Sequence, residues 1–206
     1  MPLQNRVDPF GDVFRTPARG AMMGNRGGGL HNDDREMVRC YKSRRWITCV
    51  LEFRGRYRKV MSVGRYTELF FLDEAVAFSA GHRPCAECRR DRYNAFRIAW
   101  QRRSKHATPP FADEMDLELH SARIDRGKKV TYEATLSSLP DGTFVRIEER
   151  AHLVWRDTLL LWTPEGYARK HPRTEDFVVT VLTPKPIVGC FGEGYVPEIH
   201  ASGRSL

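Results

Sequence analysis

The chain has 206 residues, 41% hydrophobic and 29% charged, which are globular values and exclude a disordered polymer. No apolar run approaches the length of a membrane span, and the start, MPLQNRVDPFGDVFR, lacks the apolar core of a signal peptide. A cytoplasmic chain with no membrane partner is expected. The net charge of +8 is unevenly spread: residues 35–105 hold 18 Lys/Arg against 7 Asp/Glu (+11), and the remainder holds 16 against 19 (−3). A positive field focused in one segment attracts polyanions and releases their counterions on binding, so nucleic acid is the expected partner.

Residues 1–35 are rich in glycine and proline with little periodicity, and read as an irregular N-terminal loop segment. Over residues 46–53 the side chains alternate, with Ile47, Cys49, Leu51 and Phe53 on one face, as in a half-buried strand. Arg54-Gly55-Arg56 then turns into a second strand over 57–63, and 66–72 (YTELFFL) is a third apolar run of strand length. Asp73 caps a short helix over 74–80, which Gly81 stops. A second helix is expected over about 87–103, where Tyr93, Phe96 and Trp100 recur at helical spacing, and a third over 113–124.

After Gly127 the character changes. Residues 130–136, 143–147, 151–155, 158–162 and 177–182 read as short strands, with turns at Asp141-Gly142 and Arg156-Asp157. A Gly/Pro-rich tail follows. The expected fold is α+β: a basic, zinc-stabilised β-hairpin and helix module over 36–105, a connecting helix within 106–127, and a small all-β subdomain with its tail over 128–206.

The five cysteines are Cys40, Cys49, Cys85, Cys88 and Cys190, an odd number that argues against a disulfide framework. Within Gly81-His82-Arg83-Pro84-Cys85-Ala86-Glu87-Cys88-Arg89-Arg90, two thiols separated by two residues can both point into one tetrahedral zinc site. A helix beginning near Cys88 turns its first amides toward them, and with the neighbouring arginines this favours ionised thiols.

The run 66–90, YTELFFLDEAVAFSAGHRPCAECRR, resembles the second half of the metal-binding domain of Ada-type DNA repair proteins. In that family a strand, a short Ala-rich helix and a Gly-x-Arg-Pro-Cys-x-x-Cys-Arg turn follow in this order. The match covers about 25 of 206 residues; the rest of the chain resembles uncharacterised bacterial proteins in general layout. The resemblance implies that Cys85 and Cys88 are zinc thiolates and that the basic surface beside them meets DNA. The family's upstream Cys-x-x-x-Cys pair, one member of which accepts a methyl group, has no counterpart here, so methyl transfer is not expected. Cys49 is the first choice for a third ligand, with buried packing as its alternative. His31, His82 and Cys40 compete for the fourth place, His82 reading better as a surface residue or one that stands behind the ligands.

Other motifs are less specific. Gly24–Asp34 (GNRGGGLHNDD) could bring amides and Arg26 to a phosphate, but lacks the P-loop and dinucleotide patterns. His31, Asp33 and Asp34 in that loop are candidate catalytic residues of a metal-dependent hydrolase. Glu118 and His120 share a helix without an identified partner, and Glu68 stands among aromatics, either buried or paired with an arginine. Aromatic residues Tyr41, Trp46 and Tyr57 interleave with basic ones, as in a groove that stacks bases, although strands favour them anyway. Three functions follow. The first is a zinc-containing, DNA-repair-associated DNA-binding protein with Arg44, Arg45, Arg54, Arg56, Arg58, Lys59, Arg89, Arg90 and Arg97 as its phosphate-binding surface. The second is a metal-dependent nuclease or other phosphodiester hydrolase built on the His31 loop. The third is a protein-interaction module built on the β subdomain.

Overall fold

The computed structural model describes every residue except Tyr57, Arg58, His106 and Glu175. Its first sheet is built from β1 (Gln4–Val7), β2 (Val13–Arg15), β3 (Met22–Asn25), β4 (Ile47–Cys49) and β5 (Leu69–Phe71). After helix α1 (Glu74–Ser79) the two-residue β6 (Arg83–Pro84) completes it, in the order β2-β1-β5-β3-β4-β6. The β1/β5 and β4/β6 pairs are parallel and the others antiparallel. Gly24 is where β3 threads this sheet: a Cβ there would stand 2.5 Å from the Ile47 carbonyl oxygen and 2.6 Å from the Phe71 ring.

Helices α2 (Arg90–Ser104) and α3 (Ala112–Arg123) follow, then the short pair β7 (Ile124–Asp125) and β8 (Lys128–Lys129). The second sheet contains β9 (Tyr132–Thr135), β10 (Phe144–Ile147), β11 (Arg150–Trp155), β12 (Thr158–Thr163), β13 (Gly166–Pro172) and β14 (Val178–Val181). All its pairings are antiparallel, in the order β13-β12-β11-β10-β14-β9. Two last helices, α4 (Lys185–Gly192) and α5 (Ala201–Ser205), close the chain.

The α+β class holds, and three expectations are corrected. Residues 1–35 are not an irregular loop, because they supply β1, β2 and β3, half of the first sheet. The strand at Ile47 ends at Cys49 and pairs with β3 and β6, so the hairpin with 57–63 does not form: 59–63 is turn and coil, and Tyr57 and Arg58 lie outside the described residues. The β subdomain expected to about residue 190 ends in helix α4, the Gly/Pro-rich tail after it contains α5, and β13 was not anticipated because GYARKHP is mostly exposed and shows no apolar alternation.

The two sheets share one core. Leu69, Phe71 and the buried residues Ala75, Val76, Ala77 and Ala80 pack with Phe144, Leu153, Leu160 and Tyr167 of the second sheet. Asp73 and Glu74 fasten this join. Asp73 caps α1 through the Val76 amide and accepts the Tyr167 hydroxyl (2.8 Å) and the His200 amide (2.9 Å). Glu74, fully buried, takes Arg89 (2.8 Å), Arg92 (2.5 Å), the Tyr195 hydroxyl (2.7 Å) and the Glu198 amide (2.8 Å). A second core, with Phe78, Phe96, Trp100, Met115 and Phe191, holds α2, α3 and α4 together, and Cys190 is an inert member of it.

Candidate metal centre

The cysteine turn is held against β4 by backbone pairing. The Arg83 amide donates to the Trp46 carbonyl (3.1 Å) and the Cys85 amide to the Thr48 carbonyl (2.9 Å), so Cys85 lies next to Cys49. Gly81, at φ +84°, makes this approach possible by ending α1 in a left-handed turn; its carbonyl accepts Arg123 (2.8 Å). The Arg89 amide closes the Cys85–Cys88 turn onto the Cys85 carbonyl (3.2 Å) just before α2 begins. The Sγ atoms of Cys49, Cys85 and Cys88 all lie within 4.8 Å of one another, close enough to bind one metal ion. Thiolates around zinc at about 2.3 Å stand roughly 3.8 Å apart at tetrahedral angles, so the cluster suits that ion.

Electrostatics in the cluster favours a cation. Cys85 is brought down to about 5, first by the thiol of Cys49 hydrogen-bonding to it, then by the amides of Cys88 and Glu87, against the cost of burial. Cys88 is lowered by the same Cys49 thiol and by the Val50 amide. Cys49 is pushed far up, because its proton is shared with Cys85 and Cys88 and its loss would place three negative sulfurs together. Three thiolates therefore need a positive charge between them, and a soft dication supplies what that one proton otherwise supplies.

The three cysteines open on a cleft of about 1130 Å³. Its floor is the first sheet: Cys49, Met23 and Phe70 stand in one cross-strand row, and Ile47 faces Asn25 in the next. Arg45, Arg54, Arg56 and Phe53 stand on its walls together with the carboxylates Glu52 and Glu87, and Glu68 reaches it from beside β5. A second cleft of about 590 Å³ shares Ser43 and Arg45 with the first and adds Lys42, Arg44, Tyr41 and His120. The basic loop between them is anchored from behind: Arg123 donates to the Arg44 carbonyl, and the Trp46 indole to the Ser43 carbonyl (3.0 Å).

The remaining candidates are distributed as follows. Cys49, Cys85 and Cys88 are brought together, and no other cluster of three or more metal-donor side chains forms among the described residues. His31 lies elsewhere, its ring nitrogens engaged by the Thr67 hydroxyl (2.6 Å) and the Ser62 carbonyl (3.3 Å). His82 is not a surface residue: it is fully buried against Phe71 and Trp46, accepts Arg26 Nε (3.3 Å), and burial beside Arg26 and Arg123 holds its pKa well down. Cys40 is exposed outside the cluster, and so are Asp33 and Asp34. Arg26 is buried under the Gly11 carbonyl (2.9 Å), which removes it as a phosphate contact.

Of the expected basic surface, Arg44, Arg45, Arg54 and Arg56 line the clefts, while Lys59 and Arg90 are exposed outside them and Arg58 lies outside the described residues. Two assignments are corrected. Arg89 is 5% exposed and pairs with Glu74 and Glu198 (2.9 Å), and Arg97 caps the Pro109 and Pro110 carbonyls (2.9 and 2.7 Å) while facing Tyr93. The signal for Arg89 was its spacing: at the N-cap of α2 it continues the inward stripe of Tyr93, Phe96 and Trp100. Met23 and Phe70, the floor of the cleft, were missed because they gather only through sheet pairing. Compared with known protein families, curated proteins and solved structures, the chain matches none. No helix among the described residues is long and apolar enough to cross a membrane.

Proposed function

We propose that this chain is a zinc-containing protein that binds nucleic acid, DNA first, in the cleft that carries its metal centre. The observation that supports this most is a single juxtaposition: Cys49, Cys85 and Cys88 open on the same cleft as Arg45, Arg54 and Arg56. Arg45 pairs with Asp113 (3.4 Å) and Arg56 with Glu87 (2.8 Å), both at the surface. Such exposed pairs are weak, of order 0–1 kcal/mol, and exchange readily for phosphate. The resemblance of 66–90 to the Ada-type module points the same way and suggests a DNA-repair setting. Zinc would be held by the three thiolates, tying β4 to the Cys85–Cys88 turn and so fixing the wall of the cleft. A nuclease built on His31, Asp33 and Asp34 has less support, because His31 is committed to Thr67 and Ser62.

Fluorescence anisotropy of labelled DNA at increasing salt tests the reading. The native chain should bind with a steep inverse dependence on salt, and the variant carrying Arg45→Ala, Arg54→Ala and Arg56→Ala should lose affinity with a shallower slope. Equal binding by both proteins would remove the cleft from the interface.

A further inference from the structure

We infer that the metal centre has one position left for an exogenous ligand, and that this ligand comes from the base of an unpaired nucleotide seated in the cleft. The inference rests on the zinc and nucleic-acid reading above and adds to it what the metal touches. Structural zinc is closed by four protein ligands, whereas a reactive or ligand-binding zinc keeps three and an open place. Here three thiols converge, and among the described residues no fourth Cys, His, Asp or Glu joins them. Three carboxylates share the cleft, Glu52, Glu68 and Glu87, and none of them joins the thiol cluster; Glu52 and Glu87 are exposed, and buried Glu68 accepts the Met61 amide at 2.7 Å. His31 and His82 are held in separate hydrogen-bonded sites. The fourth direction therefore faces the cleft.

The shape of that cleft selects the ligand. Its floor beside Cys49 is apolar, with Met23, Ile47 and Phe70, and its walls carry Arg45, Arg54 and Arg56 against the exposed Glu52 and Glu87, a net +1. A nucleotide has the matching division: a flat base for the floor and a phosphate for the walls. In a duplex the ring faces are stacked and only groove-edge donors such as purine N7 stay open, so a base laid face-down on the apolar floor beside the centre must be single-stranded or extruded. Base ring nitrogens and exocyclic oxygens are competent donors to a borderline-soft dication.

Cobalt(II) substitution reads the site directly, because its thiolate charge-transfer and visible d–d bands report ligand number and identity. The full chain loaded with cobalt(II) should show thiolate bands, and its d–d bands should shift with imidazole and with a ten-residue single strand, but not with the same sequence as a duplex. Adding Arg45→Ala and Arg54→Ala should raise the oligonucleotide concentration needed for half of that shift roughly tenfold while leaving the imidazole response intact. Both residues are exposed, so the variant should melt as the native chain does, which a thermal unfolding curve checks. Unchanged bands with both ligands would mean a centre closed by the protein and would overturn the inference. A shift with imidazole alone, or an equal shift with duplex, would overturn the unpaired nucleotide as the ligand. Failure to bind cobalt(II) at all would instead strike the zinc reading on which this one stands.

Discussion

Two sets of arginines lie side by side in this molecule and do opposite work. Arg26, Arg83, Arg89 and Arg123 are buried, whereas Arg44, Arg45, Arg54 and Arg56 stand exposed around the clefts. A guanidinium taken out of water must have its donors answered. Arg83 meets Asp116 through two bonds (2.9 and 2.7 Å), and Arg89 meets Glu74 and Glu198. Among the described residues no carboxylate pairs with Arg26 or Arg123; both stack on Trp46, at 4.3 and 4.1 Å from its ring centroid, and donate to carbonyls. Burial lowers Arg26 to about 10 and Arg123 to about 9, which leaves both charged at neutral pH. The cleft set is charged in the same way but only loosely paired, so its field is available to a polyanion. Charge count alone therefore overstates a binding surface. Burial and partners decide how much of it is free.

The comparison is broken most severely at its buried side. Glu74→Ala leaves buried Arg89 with Glu198 alone and takes the carboxylate from Arg92, and a loss of about 3–5 kcal/mol is expected in urea unfolding. A near-neutral result would mean that Arg89 turns outward and belongs with the cleft set. Trp46→Leu removes the ring beneath both Arg26 and Arg123 and should cost about 2–4 kcal/mol. It should also loosen the Ser43–Arg45 loop and so weaken DNA binding, which joins the two sets through one residue. At the cleft side the triple variant of Arg45, Arg54 and Arg56 should stay within about 0.5 kcal/mol per site of native stability. Its salt slope for DNA should fall by about 2–3, close to one phosphate per arginine. The smallest effect is expected from Cys40→Ser, which should change neither metal stoichiometry nor the melting temperature, since Cys40 is exposed and outside the cluster.

Much of the local structure was readable in advance, for physical reasons that also explain the failures. Helix α1 was evident because Asp73 caps it and Gly81 ends it, and α2 because its aromatic stripe repeats at helical spacing. The β11–β12 hairpin was evident because Arg156-Asp157 parts two apolar runs, whereas Asp141-Gly142 joins no hairpin, since β9 before it pairs with β14 and β10 after it with β11 and β14. The first sheet was not evident, since β1, β2 and β3 span three or four residues each, and β1 and β3 are joined through the distant β5 while β2 pairs with β1. A strand of that length carries too few side chains to display a period. At the site, Cys85 and Cys88 were visible through their spacing and Cys49 through its soft thiol on a neighbouring strand. Arg89 and Arg97 were misassigned because a positive residue in a positive segment looks like surface, and only its partners show that it faces inward.

The central claim is that Cys49, Cys85 and Cys88 hold one metal ion, and metal content tests it most directly. Protein purified without a polyhistidine tag under reducing conditions should contain about one zinc per chain, and Cys85→Ser and Cys49→Ser should each lose it. Metal-free native protein, or zinc retained in both variants, would contradict the account.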